Sequence, residues 1–398
     1  MIEPGTYAFW RATLALCLGS FLVFANLYIT QPLMPLFSAR FGISALQATW
    51  SLSICTLSLG LSLLLYGPLS DALGRRKIMI VSLLGAVLVP FLIARVESYG
   101  ALLGWRVVQG FFLGGLPAIA IAYLGDEFNR KALLMAVGFY ISGNSLGGIG
   151  GRLAGGWLTD RVDWPFAFQA LAAASLVAVV LFIWLLPPSR HFQPRPLRPA
   201  TMLRDLGGHL RNPLLLAAYA VGGLNFFIFA NQYSFITYVL SEAPYSLPPT
   251  WLGMLFLTYL SGTLGSALSG RVAQQLPQSL CMLLGILILM SGSLVTLIDS
   301  LPAIIGGLLI NSFGFFFCHS MASSWINRHA QGARASASSL YLVFYYLGAS
   351  AGGIYLNLFW LPWGWSGVVG GSLAVLMVTA TLALWLYRQE TSGEPVTL

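Results

Sequence analysis

The feature that most constrains this chain is a series of apolar runs, each about twenty residues long. As an α-helix, such a run spans the hydrocarbon core of a bilayer, which is about 30 Å thick. Only 8% of the 398 residues are charged and 57% are hydrophobic, whereas soluble domains carry roughly 25% charged residues. The chain is therefore predicted to be an all-α membrane protein rather than a soluble one.

The apolar runs predict twelve transmembrane helices in two groups of six. The first group covers residues 13–34, 50–66, 78–94, 102–124, 132–153 and 166–186. The second group covers residues 214–240, 251–268, 280–298, 302–324, 337–358 and 367–387. A polar stretch rich in Arg and Pro separates them. The predicted organisation is an N-terminal six-helix bundle over residues 1–186, a cytoplasmic linker over 187–213 and a C-terminal six-helix bundle over 214–398.

Lys and Arg are distributed unevenly among the predicted loops. With both termini in the cytoplasm, only Arg40, Arg95 and Arg161 lie in loops on the opposite side, which is the bias of the positive-inside rule. The net charge of +8 is then explained by contact with anionic lipid at the cytoplasmic face, and no nucleic-acid partner is expected. We predict a multi-pass protein of a bacterial inner membrane with both termini in the cytoplasm.

Residues that carry catalytic or metal chemistry are scarce in this sequence. All four cysteines lie inside predicted helices, at spacings that indicate neither a metal site nor a disulfide framework. The sequence also lacks the phosphate-binding loop G-x-x-x-x-G-K-[ST] of ATP-driven pumps. No cofactor, no metal and no enzymatic activity are expected. An intramembrane lipid-modifying enzyme stays a remote alternative, because the predicted spans contain one histidine and no acid.

The two halves share an internal repeat at an offset of 205 residues. Residues 139–149 and 344–354 are identical at seven of eleven positions, and both segments lie in the fifth helix of their half. Parallel repeats of six helices are a common plan among transporters. Repeated glycines remove side chains from one helix face, so that a neighbouring helix can approach closely. We assign this packing role to Gly143, Gly147, Gly148, Gly348, Gly352 and Gly353.

The loop between the second and third predicted helices, residues 67–77, reads G-P-L-S-D-A-L-G-R-R-K. It resembles the signature loop of the major facilitator superfamily, G-x-L-a-D-r-x-G-r-k, although Ala72 stands where the family usually has Arg. The resemblance implies two pseudo-symmetric six-helix bundles that alternate access to a central site. It also implies a conformational latch, formed here by Gly67, Asp71, Gly74, Arg75, Asp126 and Glu127. In this latch Asp71 accepts backbone hydrogen bonds at a helix N-terminus, and Arg75 pairs with Asp126 or Glu127.

Two further segments resemble motifs of proton-coupled members of the same family. Residues 105–110 contain the pattern R-x-x-Q-G, and residues 143–152 resemble the antiporter motif G-x-x-x-G-P-x-x-G-G. In the second segment Gly148 replaces the proline and Arg152 the last glycine. The chain thus resembles the bacterial drug:proton antiporter and sugar-efflux branch. The resemblance implies a secondary active transporter that exports a drug or metabolite in exchange for protons.

Polar and aromatic residues inside the predicted helices are the candidates for substrate binding or proton coupling. In the family that this chain resembles, helices one, four, seven and ten line the central cavity. The candidates are Arg106, Gln109, Arg152, Asn26, Gln31, Asn225, Gln232, Asn311, His319, Tyr341 and Tyr345. Among them His319 can exchange a proton near neutral pH, whereas an arginine keeps its proton. For each candidate the alternative role is a hydrogen bond between helices.

Arg106 and Arg152 lie on consecutive predicted helices, near the same membrane face. Two like charges there need an anion or polar compensation, so an uptake carrier for an organic anion is the alternative function. In the alternative interpretation, the Arg152 side chain reaches the lipid headgroups or Asp160 and Asp163, and Arg106 forms hydrogen bonds with backbone groups. We expect the protein to function as a monomer. Its expected partners are a small-molecule substrate and protons. The sequence leaves the substrate, the direction of transport, the coupling ion and the oligomeric state open.

Overall fold

The computed structural model of the chain describes residues 1–194, 199–330 and 334–392. Within these ranges the regular structure is helical, apart from one isolated parallel β-bridge between Ile2 and Phe128. The all-α membrane class predicted from the apolar runs is confirmed. Residues 195–198 of the predicted linker, with Arg195 and Arg198, and the end of the predicted C-terminal bundle, residues 393–398, lie outside the described residues.

Fifteen α-helices follow one another along the described residues. The first eight are α1 (Tyr7–Tyr28), α2 (Met34–Phe41), α3 (Ala45–Leu73), α4 (Arg75–Ile93), α5 (Tyr99–Leu113), α6 (Gly115–Glu127), α7 (Arg130–Arg161) and α8 (Trp164–Leu185). The remaining seven are α9 (Pro199–Arg211), α10 (Pro213–Ser241), α11 (Pro249–Met254), α12 (Tyr259–Val272), α13 (Gln278–Val295), α14 (Leu301–His329) and α15 (Arg334–Ser392). Short 3₁₀ turns cover Gln31–Leu33 and Leu255–Thr258.

Eleven segments of the described residues are long and apolar enough to cross a membrane. The last of them, Ser336–Thr391, has 56 residues. At 1.5 Å per residue it would measure about 84 Å, more than twice the thickness of a hydrocarbon core. It is broken at Gly364, where φ is 55° and ψ is −139°, a conformation that favours glycine. This segment therefore contains the eleventh and twelfth predicted helices.

The chain divides into two compact units. The first unit comprises Met1–Leu197 and Ser246–Phe256, and the second comprises Arg198–Tyr245 and Leu257–Leu398. In the first unit α7 packs along α1, and in the second unit α15 packs along α10. Each unit is thus built around one pair of closely packed helices that carries the repeated glycines.

The repeated glycines lie at these two helix contacts. A Cβ atom at Gly143 or Gly147 would overlap backbone atoms of α1, and a Cβ atom at Gly348 or Gly352 would overlap backbone atoms of α10. Gly353 is buried beside them. Any larger side chain at the four contact positions would push the helices apart. The close approach therefore depends on glycine at equivalent places in both units.

Candidate functional site

Arg106 of α5 lies at the centre of a buried hydrogen-bond network in the first unit. The residue is 0% exposed. Its Nε donates to the Ser51 carbonyl at 2.8 Å, Nη1 to the Asn26 carbonyl at 2.9 Å and Nη2 to the Leu27 carbonyl at 2.6 Å. Nη1 also donates to Oε1 of Gln109. Since a guanidinium has five N–H donors, the protein itself accepts four of them.

Asn26 and Gln109 extend this network to a further helix. Nε2 of Gln109 donates to Oδ1 of Asn26 at 3.3 Å, and Nδ2 of Asn26 donates to Oγ of Ser175 on α8 at 2.9 Å. The glycine of the R-x-x-Q-G pattern, Gly110, lies where a Cβ atom would overlap the Cys55 carbonyl of α3. The network joins α1, α3, α5 and α8. A substrate role for Asn26, Arg106 and Gln109 stays a prediction.

The positive charge of Arg106 is balanced by dipoles and not by an acid. Among the ion pairs of the described residues, none involves Arg106. An arginine at mid-bilayer costs roughly 2.5–3.5 kcal/mol on the insertion scale, and here three backbone carbonyls and one amide oxygen offset that cost. Losing this side chain would remove the guanidinium donors of those buried acceptors.

Arg152 of α7 lies between two aromatic rings. Its Cζ atom is 3.9 Å from the ring centre of Tyr28 and 4.3 Å from that of Phe256, and the residue is 2% exposed. Nε donates to Oε1 of Gln31 at 2.9 Å, and Nη1 donates to the Gly148 carbonyl at 2.9 Å. Cation–π contacts of this kind are attractive. The guanidinium is therefore turned into the first unit, where it orders the neighbouring side chains.

The two acids that stood as alternative partners of Arg152 have other roles. Oδ2 of Asp160 accepts a hydrogen bond from Thr250 at 2.7 Å. Asp163 caps the start of α8 by accepting a hydrogen bond from the Phe166 amide at 2.7 Å. Such caps satisfy N–H groups that have no partner within the helix.

The signature loop forms a compact ion-pair cluster. Nε of Arg75 donates to Oδ2 of Asp126 at 2.8 Å, and Nη1 donates to Oγ of Ser70 at 3.1 Å and to Oδ1 of Asp71. Of the two expected acidic partners, Arg75 thus binds Asp126. The expectation that Asp71 accepts backbone hydrogen bonds is wrong for this structure, because within the described ranges its carboxylate is bound by the Arg75 side chain.

Backbone geometry and a second arginine fix the position of this loop. Gly74 joins α3 to α4 with φ 104° and ψ 133°, in the region that favours glycine. A Cβ atom at Gly67 would meet no other atom, so space does not explain that glycine. Arg76 donates to the carbonyls of Ile183 and Leu186 and thereby caps the end of α8, where a positive charge is favoured.

Glu127 binds the chain that follows α8. Its Oε1 accepts hydrogen bonds from the Arg190 amide at 2.7 Å and from the His191 amide at 2.9 Å, and Oε2 lies 3.0 Å from Nδ1 of His191. The Ile2 amide donates to its carbonyl at 2.7 Å. Glu127, which is 2% exposed, therefore holds the start of the predicted linker and the amino terminus, and its neighbour Asp126 takes the pairing with Arg75.

In the second unit, two predicted residues of α10 face α14. Nδ2 of Asn225 donates to Sγ of Cys318 at 3.2 Å, and Oε1 of Gln232 accepts hydrogen bonds from Asn311 at 2.9 Å and from Ser293 at 3.1 Å. Asn225 and Gln232 are nearly two helical turns apart and share a face. Three of these amides still have a buried polar atom with no hydrogen-bond partner in the described part of the chain, whereas buried polar atoms are normally paired.

Beside these amides lies a group of rings that we call the aromatic cluster. It consists of Phe226, Phe229, Phe315, His319, Tyr341 and Tyr345. The rings of Phe226 and Tyr345 stack with centres 3.7 Å apart, and those of Phe229 and Phe315 stack at 3.9 Å. Nδ1 of His319 lies 2.7 Å from Oη of Tyr341. The structure thus brings His319, Tyr341 and Tyr345 into contact, and their role in substrate binding or proton coupling stays a prediction.

Sequence reasoning missed the three phenylalanines of the aromatic cluster. Phe315 precedes His319 by one helical turn, and Phe226 and Phe229 flank the same face of α10 as Asn225, so helical spacing was a usable signal. Phenylalanine is common in membrane helices, however, and spacing alone does not separate a binding ring from a packing ring. The four cysteines are free thiols, and no group that could hold a metal occurs among the residues described.

Comparison with known proteins identifies relatives over nearly the whole chain. The sequence profile described as Major Facilitator Superfamily matches residues 16–353. The uncharacterized MFS-type transporter YybF of Bacillus subtilis (strain 168) is 39% identical over 385 residues, covering 97% of this chain and 94% of that protein. The inner membrane transport protein YnfM of Escherichia coli (strain K12) is 39% identical over 381 residues, covering 96% and 91%.

A solved structure with a similar fold is a bacterial homolog of the human lysosomal transporter Spinster, in an inward-facing and unoccupied conformation. The TM-score is 0.77 at 16% identity, and the match covers 99% of this chain and 100% of that one. At this identity the likeness concerns the fold alone.

Proposed function

This chain belongs to the Major Facilitator Superfamily of membrane transporters, and on that premise we propose that it exports a small organic compound in exchange for protons. Its relatives are transporters and not enzymes, so the lipid-modifying alternative is withdrawn. The relative YnfM is named an inner membrane protein. We extend the proposal to a bacterial inner membrane, both termini in the cytoplasm and a functional monomer whose bundles, residues 1–186 and 214–398, alternate access.

The observation that supports proton coupling is the position of His319. Its ring is half-buried within α14, and its Nδ1 lies 2.7 Å from Oη of Tyr341. Histidine exchanges protons between pH 5 and 8, and no Asp or Glu lies well inside the predicted spans. A proton that binds His319 changes the charge and the hydrogen bonding of the aromatic cluster. We therefore assign proton exchange to His319.

The direction of transport rests on the resemblance of residues 143–152 to the antiporter motif of exporters. In that segment Gly143 and Gly147 lie against α1, and Arg152 binds the Gly148 carbonyl. The proline and the last glycine of the motif are absent, yet the close contact of the two helices is kept. We propose export on the resemblance of this segment to the antiporter motif.

The uptake of an organic anion has less support from the geometry. A clamp for a carboxylate or phosphate needs guanidinium donors that point to the ligand. Arg106 gives four of its five donors to the protein, and Arg152 is enclosed by Tyr28 and Phe256. Their positive charges are already accommodated within the first unit. An anion is not required to balance them.

We assign the latch to the ion-pair cluster of the signature loop. Arg75 joins the end of α3, through Asp71, to the end of α6, through Asp126. The partly exposed side chains make each pair weak, worth about 0–1 kcal/mol. A weak cluster of this kind can open and close during a transport cycle without a large barrier.

The test is proton movement in proteoliposomes that contain a pH-sensitive dye, with neutral, cationic and anionic organic compounds as substrates. We expect one class of compound to elicit proton movement in the wild type but not in His319→Gln. His329→Gln is the matched control, because this histidine lies at the end of α14, stacked on Trp325 with ring centres 3.9 Å apart. Transport without proton movement in the wild type, or unchanged coupling in His319→Gln, would contradict the proposal.

A further inference from the structure

We infer that the second unit binds an uncharged aromatic compound that carries a hydrogen-bonding substituent. The site is the aromatic cluster together with Asn225. This inference names a substrate class and so rests on the proposed transport function, but it makes a separate claim about binding. Charge, ring geometry and an unpaired polar atom each support it.

The charge argument comes from the composition of the membrane helices of the second unit. No Asp, Glu, Lys or Arg occurs in the six predicted spans of the C-terminal half, which are residues 214–240, 251–268, 280–298, 302–324, 337–358 and 367–387. A charged ligand group that enters this region loses its hydration and finds no oppositely charged side chain. A charged group there would lose hydration without forming an ion pair, whereas an uncharged group has less hydration to lose.

The ring argument comes from how the side chains are supported. His319 and Tyr345 are half-buried, with ring centres 4.7 Å apart. Tyr345 is backed by Phe226 at 3.7 Å, and His319 is backed by Phe315 at 6.0 Å with only 15° between the ring planes. Rings that are held from behind present fixed faces and edges, and a planar aromatic ligand packs well on such surfaces.

The polar argument comes from two atoms, of which only one, Oδ1 of Asn225, is buried without a hydrogen-bond partner among the residues described. The first atom is Nε2 of the half-buried His319, whose other ring nitrogen is held by Tyr341. The other is Oδ1 of Asn225, a residue that is 1% exposed and whose Nδ2 binds Cys318. An unpaired buried polar atom is costly. A ligand with a hydroxyl or amide group beside its ring would pair with them.

The binding test uses four compounds that share one ring and differ in one substituent. They are 4-nitrobenzyl alcohol, 4-nitrobenzylammonium, 4-nitrobenzoate and 4-nitrotoluene, titrated calorimetrically into the purified full-length protein in detergent. We expect the alcohol to bind at least about tenfold more tightly than the other three, a difference of about 1.4 kcal/mol. Tighter binding of the ammonium or of the benzoate would overturn the inference, and so would equal binding of the toluene.

Two variants of α14 test whether the rings form the site. Phe315→Leu removes the ring behind His319 and should weaken binding of the alcohol about fivefold. Phe313→Leu is the matched control, because this ring stacks on Phe317 at 6.1 Å and not on the aromatic cluster. Its binding should stay within about twofold of the wild type. Equal loss in both variants, with both still folded by thermal unfolding, would overturn the inference.

His319→Gln separates this inference from the proposed function. The glutamine amide can take the place of Nε2 as a hydrogen-bonding group but cannot exchange a proton at neutral pH. Because the variant also loses the His319 ring, we expect it to bind the alcohol about fivefold more weakly, as for Phe315→Leu, while proton movement is lost altogether. If the wild type binds the alcohol but moves no protons, the proposed proton-coupled export is contradicted and the inferred binding site is supported. If the wild type transports in exchange for protons but shows no preference for the alcohol, the inferred binding site is contradicted and the proposed export is supported.

Discussion

The candidate site residues of the two units differ in how their polar side chains are hydrogen-bonded. In the first unit two guanidinium groups are enclosed, and the donors of Arg106 are almost all bound by the protein. In the second unit the polar groups are neutral, and Asn225, Gln232 and Asn311 each retain a buried atom without a partner. A saturated network stabilises one arrangement of helices, whereas an unsaturated one can exchange partners with a ligand.

The backbone plan of the two units is nevertheless shared. Gly143 and Gly147 allow α7 to contact α1, and Gly348 and Gly352 allow α15 to contact α10. The two units thus share the same close helix contacts but differ in their buried polar side chains. We infer that the first unit is the more rigid part of the transporter and that the second unit carries the binding chemistry.

The largest expected effect is the loss of Arg106. Arg106→Leu would remove the guanidinium donors of three buried carbonyls and of Gln109, at about 1–3 kcal/mol for each group left unpaired. We expect a marked fall in the thermal unfolding temperature of the detergent-purified protein, only partly recovered by Arg106→Lys. A variant as stable as the wild type would show that the first unit does not depend on this network.

A smaller effect is expected from filling the glycine contacts, and it should be similar in the two units. Gly147→Ala and Gly352→Ala would each press a methyl group on a neighbouring backbone and destabilise the protein by about 1–3 kcal/mol. Gly138→Ala is the control, because a Cβ atom there meets no other atom. Thermal unfolding measures all three. A large loss of stability in only one of the two alanine variants would contradict the claim that both units share this glycine packing.

Removal of a neutral amide in the second unit should change stability by less than about 1 kcal/mol. Gln232→Met keeps the shape of the side chain, removes the unpaired Nε2 and leaves Asn311 still bound to Ser293. We expect near-normal thermal unfolding together with reduced transport in proteoliposomes. A destabilisation as large as that of Arg106→Leu would abolish the contrast between the two units.

The most local effect is expected at Glu127. Glu127→Gln weakens the contact with Arg190 and His191, at a cost of about 1 kcal/mol, and should speed tryptic cleavage after Arg190. Asp126→Asn, which breaks the pair with Arg75 instead, should leave this cleavage rate unchanged. Mass spectrometry of timed digests measures both rates. If both variants were cleaved faster after Arg190 to the same extent, Asp126 and Glu127 would belong to one coupled cluster and not to two independent contacts.

The sequence predicted the parts of the structure that depend on solvent and on helical spacing. Apolar runs identified the membrane helices, including the pair that the structure joins at Gly364, and the glycine repeat identified the close contacts. The partners of buried polar groups were harder to predict. Those of Arg106 are mostly backbone oxygens of other helices, which no residue type marks, and the choice between Asp126 and Glu127 depends on where α6 ends.

The central claim is that His319 couples protons to transport, while substrate binding rests mainly on the other residues of the aromatic cluster and on Asn225. The most direct measurement compares two activities of His319→Gln in proteoliposomes: substrate exchange at equal pH on both sides, which needs no net proton movement, and uptake driven by a pH gradient. The account predicts that exchange is retained and that gradient-driven uptake is lost. Loss of both activities together in a folded variant, or retention of gradient-driven uptake, would contradict it.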